Sequence, residues 1–439
     1  GIRIAGTTSN DLTVANGVSL TADLDSSATT PGKIELLAYQ SGSSRVKMNL
    51  NSSLNVGTGG VDITSGFQGI DIDGAITSKG PIDLNASTSS SAAEVNIDNA
   101  SIVDATDANI TIFSGGDTTI TGIVKNNAVD STASITIEAQ ANRNTSTVSS
   151  PGQILAGSGG IGILAGEQVL HSGTMTTAGG VTLRAIYNND SSGGMNITGD
   201  ITAGDSGIGM YSGDGITASG ILLTTGNLYG LNASGETTQD TSNWAANDSV
   251  SIDNAANELA GFGPFYVGDD FGDSATLEVV DSTGGLDIVG DIYALEGNIT
   301  ISTAGGALAI GTNDLVAGST IPSGADISLT GQGISQSTGS SLTVNGTDSG
   351  AGSGGTINLA GYDGTAQGLI TLGGGLSTDN SSADAIGIFG TTDLTLPSIT
   401  APHGTVSFGK SGGLESRITS SIVQSSGTAI VADTLRVYA

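Results

Sequence analysis

Apolar residues recur along this chain as alternating apolar-x-apolar triplets, spaced by Gly, Asn, Asp, Ser and Thr. They run from Ile2/Ile4 through Val61/Ile63, Ile82/Leu84, Ile110/Ile112, Ile135/Ile137, Ile161/Ile163 and Val181/Leu183. They continue through Leu277/Val279, Ile299/Ile301, Ile327/Leu329, Ile357/Leu359 and Ile386/Ile388 to Leu435/Val437. A period of two over about three to five residues predicts short strands, and the intervening residues suit turns. Helical i, i+3, i+4 patterning is almost nowhere to be found. The chain is expected to be all-β.

A longer phrase recurs as well. Residues 193–203, GGMNITGDITA, match 284–294, GGLDIVGDIYA, and 69–84, GIDIDGAITSKGPIDL, follow the same plan. The Gly-Gly pairs at Gly159-Gly160 and Gly179-Gly180, and again at Gly284-Gly285 and Gly305-Gly306, set a period near 20 residues. Several short strands inside such a period predict a right-handed, single-stranded parallel β-helix with about 20 residues per coil. Stacked Ile and Val would fill a narrow core, in keeping with an aromatic content of only 4%. Roughly 20 coils at ~4.8 Å each would make a rod on the order of 100 Å long. Coils are expected over 1–234 and 276–439, interrupted by an aromatic and acidic excursion at 235–275. Polar corner loops are expected at 85–93, 140–150 and 345–355.

Composition narrows the function classes. Of 439 residues, 42 are acidic and 11 basic, for a net charge of −31. The basic residues are scattered, so a nucleic-acid partner and an anionic membrane surface are both disfavoured. The acidity reads as solubility and mutual repulsion of long surfaces, with cation binding as the alternative. Cysteine is absent, which excludes disulfides, thiolate zinc sites and thiol nucleophiles. No apolar run approaches the roughly 18 residues of a membrane span and no signal peptide is readable, so a mature product or excised segment is expected. Gly is abundant, at 70 residues, but recurrent β-branched residues argue against disorder.

Candidate chemistry is sparse. The stretch 235–275 holds Trp244, Phe262, Phe265, Tyr266 and Phe271, read either as cover for an apolar patch or as a partner-contact platform. Asp269, Asp270, Asp273 and Glu278 are four carboxylates within ten residues, either Ca²⁺ ligands or solvated loop charge. The histidines, His171 and His403, are expected at the surface. Gly404 to Ser411 fits a P-loop pattern and Gly409 to Gly413 a nucleophile elbow, but both need a following helix that is not readable. The GxGxxG at Gly350 to Gly355 is weaker still. The sequons at Asn85, Asn109, Asn196 and Asn298 follow from composition, the last two inside expected strands.

The phrases at 193–203 and 284–301, with GGVTLRA at 179–185, resemble the repeat region of filamentous-haemagglutinin-like large exoproteins and related bacterial β-helix adhesins. The resemblance implies a secreted, surface-displayed rod with binding or structural functions along a bacterial envelope. The rod's low-charge flanks and end coils are expected to attach cells, contact other surface components or assemble with further copies, end to end or laterally. It carries over no functional residue. β-Helices also host polysaccharide lyases and polygalacturonases, so binding or cleavage of glycans is the second expectation. The chain has Asp269-Asp270 but lacks the Asn-Thr-Asp, Gly-His-Gly and Arg-Ile-Lys segments of polygalacturonases. No catalytic residue is expected.

Overall fold

The computed structural model describes residues 1–6, 10–22, 31–38, 44–87, 90–126, 131–139, 146–185, 194–230, 249–268, 276–295, 297–318, 325–345, 355–381 and 384–438. Two compact units form, Gly1–Gly213 with Thr224–Gly226, and Asp214–Leu223 with Asn227–Ala439. Both are all-β, with a single 3₁₀ turn at Leu414–Ser416 among the described residues.

In unit one the strands come in sets of three. Each strand pairs in parallel with the strand three further along, so three ladders rise together. The first ladder links Ile2, Ile34, Val61, Ile82, Ile110, Ile135, Ile161, Val181 and Ile208 in one register column. The second runs from Leu12–Val14 to Met195–Ile197. The third runs from Ser19–Ala22 to Asp200–Ala203. Unit two repeats the scheme, with a column through Val250, Leu277, Ile299, Ile327, Ile357, Ile386, Val406 and Leu435. Parallel strands in stacked ladders are consistent with a β-solenoid.

Alternation sets the core. Ile110, Ile112, Ile135, Ile137, Ile161, Ile163, Val181 and Leu183 are at most 2% exposed. Each contributes on the order of 1.5–3 kcal/mol by burial, and β-branched side chains stack on the pleat without rearrangement. Separation along the chain between column partners is uneven: it is 20 residues from Ile161 to Val181 and 32 from Ile2 to Ile34. The period near 20 is thus the shortest spacing rather than the rule. The surplus lies between strands, as in the nine residues between Ile82–Asn85 and Val95–Ile97.

Polar side chains tie successive layers together. Asp291 Oδ1 accepts the Asp314 N–H at 2.9 Å, and Asp314 Oδ1 accepts the Ser341 N–H at 2.7 Å. Asn298 receives the Asp326 N–H at 2.8 Å, and Asp326 receives the Thr356 N–H and hydroxyl. Asp11, Asn109, Asp117 and Asp393 do the same for Arg45, Ser134, Thr147 and Ser421. Each acceptor stands just before or within a strand and reaches the next layer. Part of the acidity is therefore structural, a use distinct from both readings of the net charge.

Corners use hydroxyls and glycine. Thr177 Oγ1 accepts the Gly179 N–H at 3.0 Å and donates to the Gly157 carbonyl one layer back at 2.6 Å. Ser78 with Gly80 and Thr224 with Gly226 repeat the arrangement.

Of the stretch 235–275, expected to leave the stack, residues 235–248 and 269–275 lie outside the described residues. Val250–Ile252, Glu258–Phe262 and Phe265–Val267 all pair within the ladders of unit two. Likewise Thr147–Ser150, expected in a corner loop, is a strand.

Candidate functional site

The sequence-derived candidates mostly dissolve into the fold. Phe262 and Phe265 are fully buried, their rings stacked at 5.1 Å, and they pair with Ile288 and Ile292. They are core residues and not partner contacts, because both face inward on either side of a corner. Tyr266, next after Phe265, lies flat on Tyr293 at 4.8 Å and is 8% exposed, with its phenol pushed up by burial. Trp244, Phe271, Asp269, Asp270 and Asp273 lie outside the described residues. Glu278 is exposed and stands between Ser251 and Thr300 in its ladder. Among the described residues no group of three or more His, Asp or Glu could hold a metal.

His171 corrects the surface expectation. It is 1% exposed, with Nδ1 at 3.0 Å from both the hydroxyl and the carbonyl of Ser150 and Nε2 at 3.4 Å from the Asp200 carbonyl. Burial holds the imidazole below its ordinary pKa, in the neutral form. A serine beside a histidine is present, but it is sealed in the core, and the Asp200 group at hydrogen-bond distance from the ring is its main-chain carbonyl. His403 is exposed. The P-loop match, Gly404 to Ser411, begins inside the strand Ile399–Phe408, so Thr405 to Phe408 are extended, and only a 3₁₀ turn at Leu414–Ser416 follows. Asn196 is within a strand as expected, whereas Asn298 immediately precedes one.

Two carboxylates meet on the second ladder. Asp98 hydrogen-bonds the Asp73 carboxylate one layer back, and this contact, with burial and the charges of Asp73 and Asp71, raises its pKa to about 6. A carboxyl raised in the folded state binds more protons folded than unfolded. Its contribution is present below about pH 4 and lost as pH rises through about 6. Asp98→Asn keeps the hydrogen bond without the second charge, so it should stabilise the protein above pH 7 and make no difference at pH 4. Asp98 is exposed, so solvent screening limits the gain to about 1 kcal/mol at most, read from melting temperatures at the two pH values.

The outer face of the first ladder in unit one stands apart from the other flanks. Five outward residues lie in register on successive layers: Phe113, Glu138, Leu164, Arg184 and Tyr211. All five are half-buried. Beside them runs a second column containing Thr136, Gly162 and Thr182, and the space above Gly162 is open to at least 4 Å. Most other basic residues described in this unit meet a carboxylate on the same or a neighbouring layer, Lys79 being an exception. Arg3 and Lys33 meet Glu35, Lys33 meets Asp62, Arg45 meets Asp71, Lys47 meets Asp11 and Lys125 meets Asp104, all within 3.4 Å.

Among the described residues Arg184 also has no such partner. Its Nε is buried without a hydrogen bond, and its guanidinium carbon sits 6.0 Å from the Tyr211 ring centroid. Desolvation pulls the guanidinium below its ordinary pKa and pushes the Tyr211 phenol up. Glu138 is pushed up by burial alone. A desolvated donor and a desolvated acceptor thus share one face, two layers and about 10 Å apart, separated by Leu164. Such groups are costly to leave unmet. No sequence motif marks this set; its members stand at intervals of 20 to 27 residues and align only once the register is known.

Comparison with protein-family models, with curated proteins and with solved structures finds no match to this chain.

Proposed function

We propose that the chain is an extracellular structural or adhesive fibre protein, displayed at a bacterial cell surface, in which a right-handed parallel β-helix supplies length and stiffness. The observation that carries this reading is the in-register stacking of three parallel ladders in each unit, with aliphatic columns inside and Asp, Asn and hydroxyl rungs between layers. Every bond in such a ladder joins one layer to the next, so resistance to bending is distributed along the stack. Right-handed winding follows from the strong preference of parallel β crossovers for that hand. Coil lengths of 20 to 34 residues accommodate corners of different size without breaking register. Sparse charge on the flanks leaves them suited to contact with other surface components or with further copies.

Negative-stain electron microscopy of the purified native protein tests the reading. Elongated particles of uniform width, or filaments, are expected. Monodisperse compact particles with polysaccharide-degrading activity would sink the fibre assignment in favour of a carbohydrate-active protein.

A further inference from the structure

We propose that the column Phe113, Glu138, Leu164, Arg184, Tyr211 is a self-complementary docking face, on which a second copy of this chain packs antiparallel about a two-fold axis at Leu164. The inference deepens the fibre reading by naming the partner of one flank. The column reads aromatic, acid, leucine, base, aromatic, which is the same in either direction except that acid and base exchange. A two-fold interface requires that residue i meet residue j while j meets i. About an axis at Leu164, Glu138 faces Arg184 of the second copy and Arg184 faces its Glu138. Leu164 then meets its counterpart, and Phe113 meets the aromatic ring of Tyr211. A parallel alignment would instead set acid against acid and base against base.

The chemistry of the single copy fits this occupant. Arg184 is half-buried and forms no ion pair among the described residues, and a carboxylate from a second copy supplies its guanidinium with a charge-assisted acceptor. Desolvation of Glu138 and Arg184 is offset only if both find opposite charges together. Gly162, with nothing within 4 Å of where a Cβ would stand, leaves the adjacent floor low enough for close approach. Five layers span about 20 Å, so this column alone covers less than the ~800 Å² per partner of a stable interface. Pairing through it is accordingly weak for one pair of copies and is detected best by trapping.

The chain has no cysteine, which makes trapping clean. In the full chain, Leu164→Cys places two thiols at the axis, and diamide should convert most of the protein to a disulfide-linked dimer. Phe113→Cys should not self-link, because the two copies of that residue would stand about 19 Å apart, far beyond disulfide reach. A mixture of Phe113→Cys and Tyr211→Cys chains should link only to each other. Adding Glu138→Arg to Leu164→Cys should slow linking at least tenfold, and Glu138→Arg with Arg184→Glu should restore it. Far-UV circular dichroism checks that each variant keeps its β signal, and Glu138→Gln, a milder change, should slow linking in the same direction. Equal linking by Leu164→Cys and Phe113→Cys would overturn the proposal, as would charge reversal without effect. Rods in the microscope that fail to link overturn the pairing alone. Linked dimers of a compact, polysaccharide-degrading particle overturn the fibre reading alone.

Discussion

Phe262→Ala lowers the stability of unit two by about 3–5 kcal/mol, the largest loss expected from any single truncation considered. The side chain is fully buried, its ring is stacked on Phe265 at 5.1 Å, and its backbone pairs with Ile288 in the next layer. Removing it leaves a void that neighbours held in register cannot close, because moving Ile288 would disturb a strand that is paired on both sides. The measurement is a denaturant titration, with hydrogen exchange at Ile288 and Ile292 reporting the local opening. A partner-contact role predicts a different outcome, since surface truncations change stability by less than about 0.5 kcal/mol. A loss that small would return Phe262 to the surface.

The second large effect is expected at a corner. A Cβ at Gly179 would stand 2.3 Å from the Ser158 carbonyl oxygen and 2.8 Å from the Gly160 nitrogen, all of it backbone. Gly179→Ala must push apart two layers that the Thr177 hydroxyl holds together, at a cost of about 1–3 kcal/mol or more. Gly375 supplies the control, because a Cβ there meets only the Ser398 carbonyl at 4.0 Å. Gly375→Ala lies in a strand and should stabilise by about 0.4–1 kcal/mol. Thermal melts of the two variants should move in opposite directions; a matching fall in both would show that corner stacking does not set the glycine requirement.

Much of the fold was legible because alternation is local. Ile110/Ile112 and Ile135/Ile137 announce inward positions within three residues, and every one of them is buried. Corners are where that logic failed. Phe262 and Phe265 are three apart, an interval that period two does not contain, because the corner between them resets the alternation. His171 was within reach of the same rule, since it continues the inward series from Val169, but its polarity outweighed its position. Layer spacing misled for a related reason, as repeated glycine pairs mark only the shortest corners. The face built from Glu138 and Arg184 was not legible at all, because the two residues are 46 positions apart and share a face only through the register each keeps with Leu164.

Register in this protein belongs to the ladders and not to the count of residues between them. Twenty residues separate Ile161 from Val181, and 32 separate Ile2 from Ile34, yet both pairs stand in one column. Lengthening a corner therefore leaves the frame of every later strand intact, while duplicating or losing one complete layer restores Ile opposite Ile or Val. The sequence can thus be edited in two independent currencies: corners, which decorate a flank, and layers, which set reach. A lineage carrying such a protein could extend it by tandem duplication or graft new loops onto it without redesigning its core.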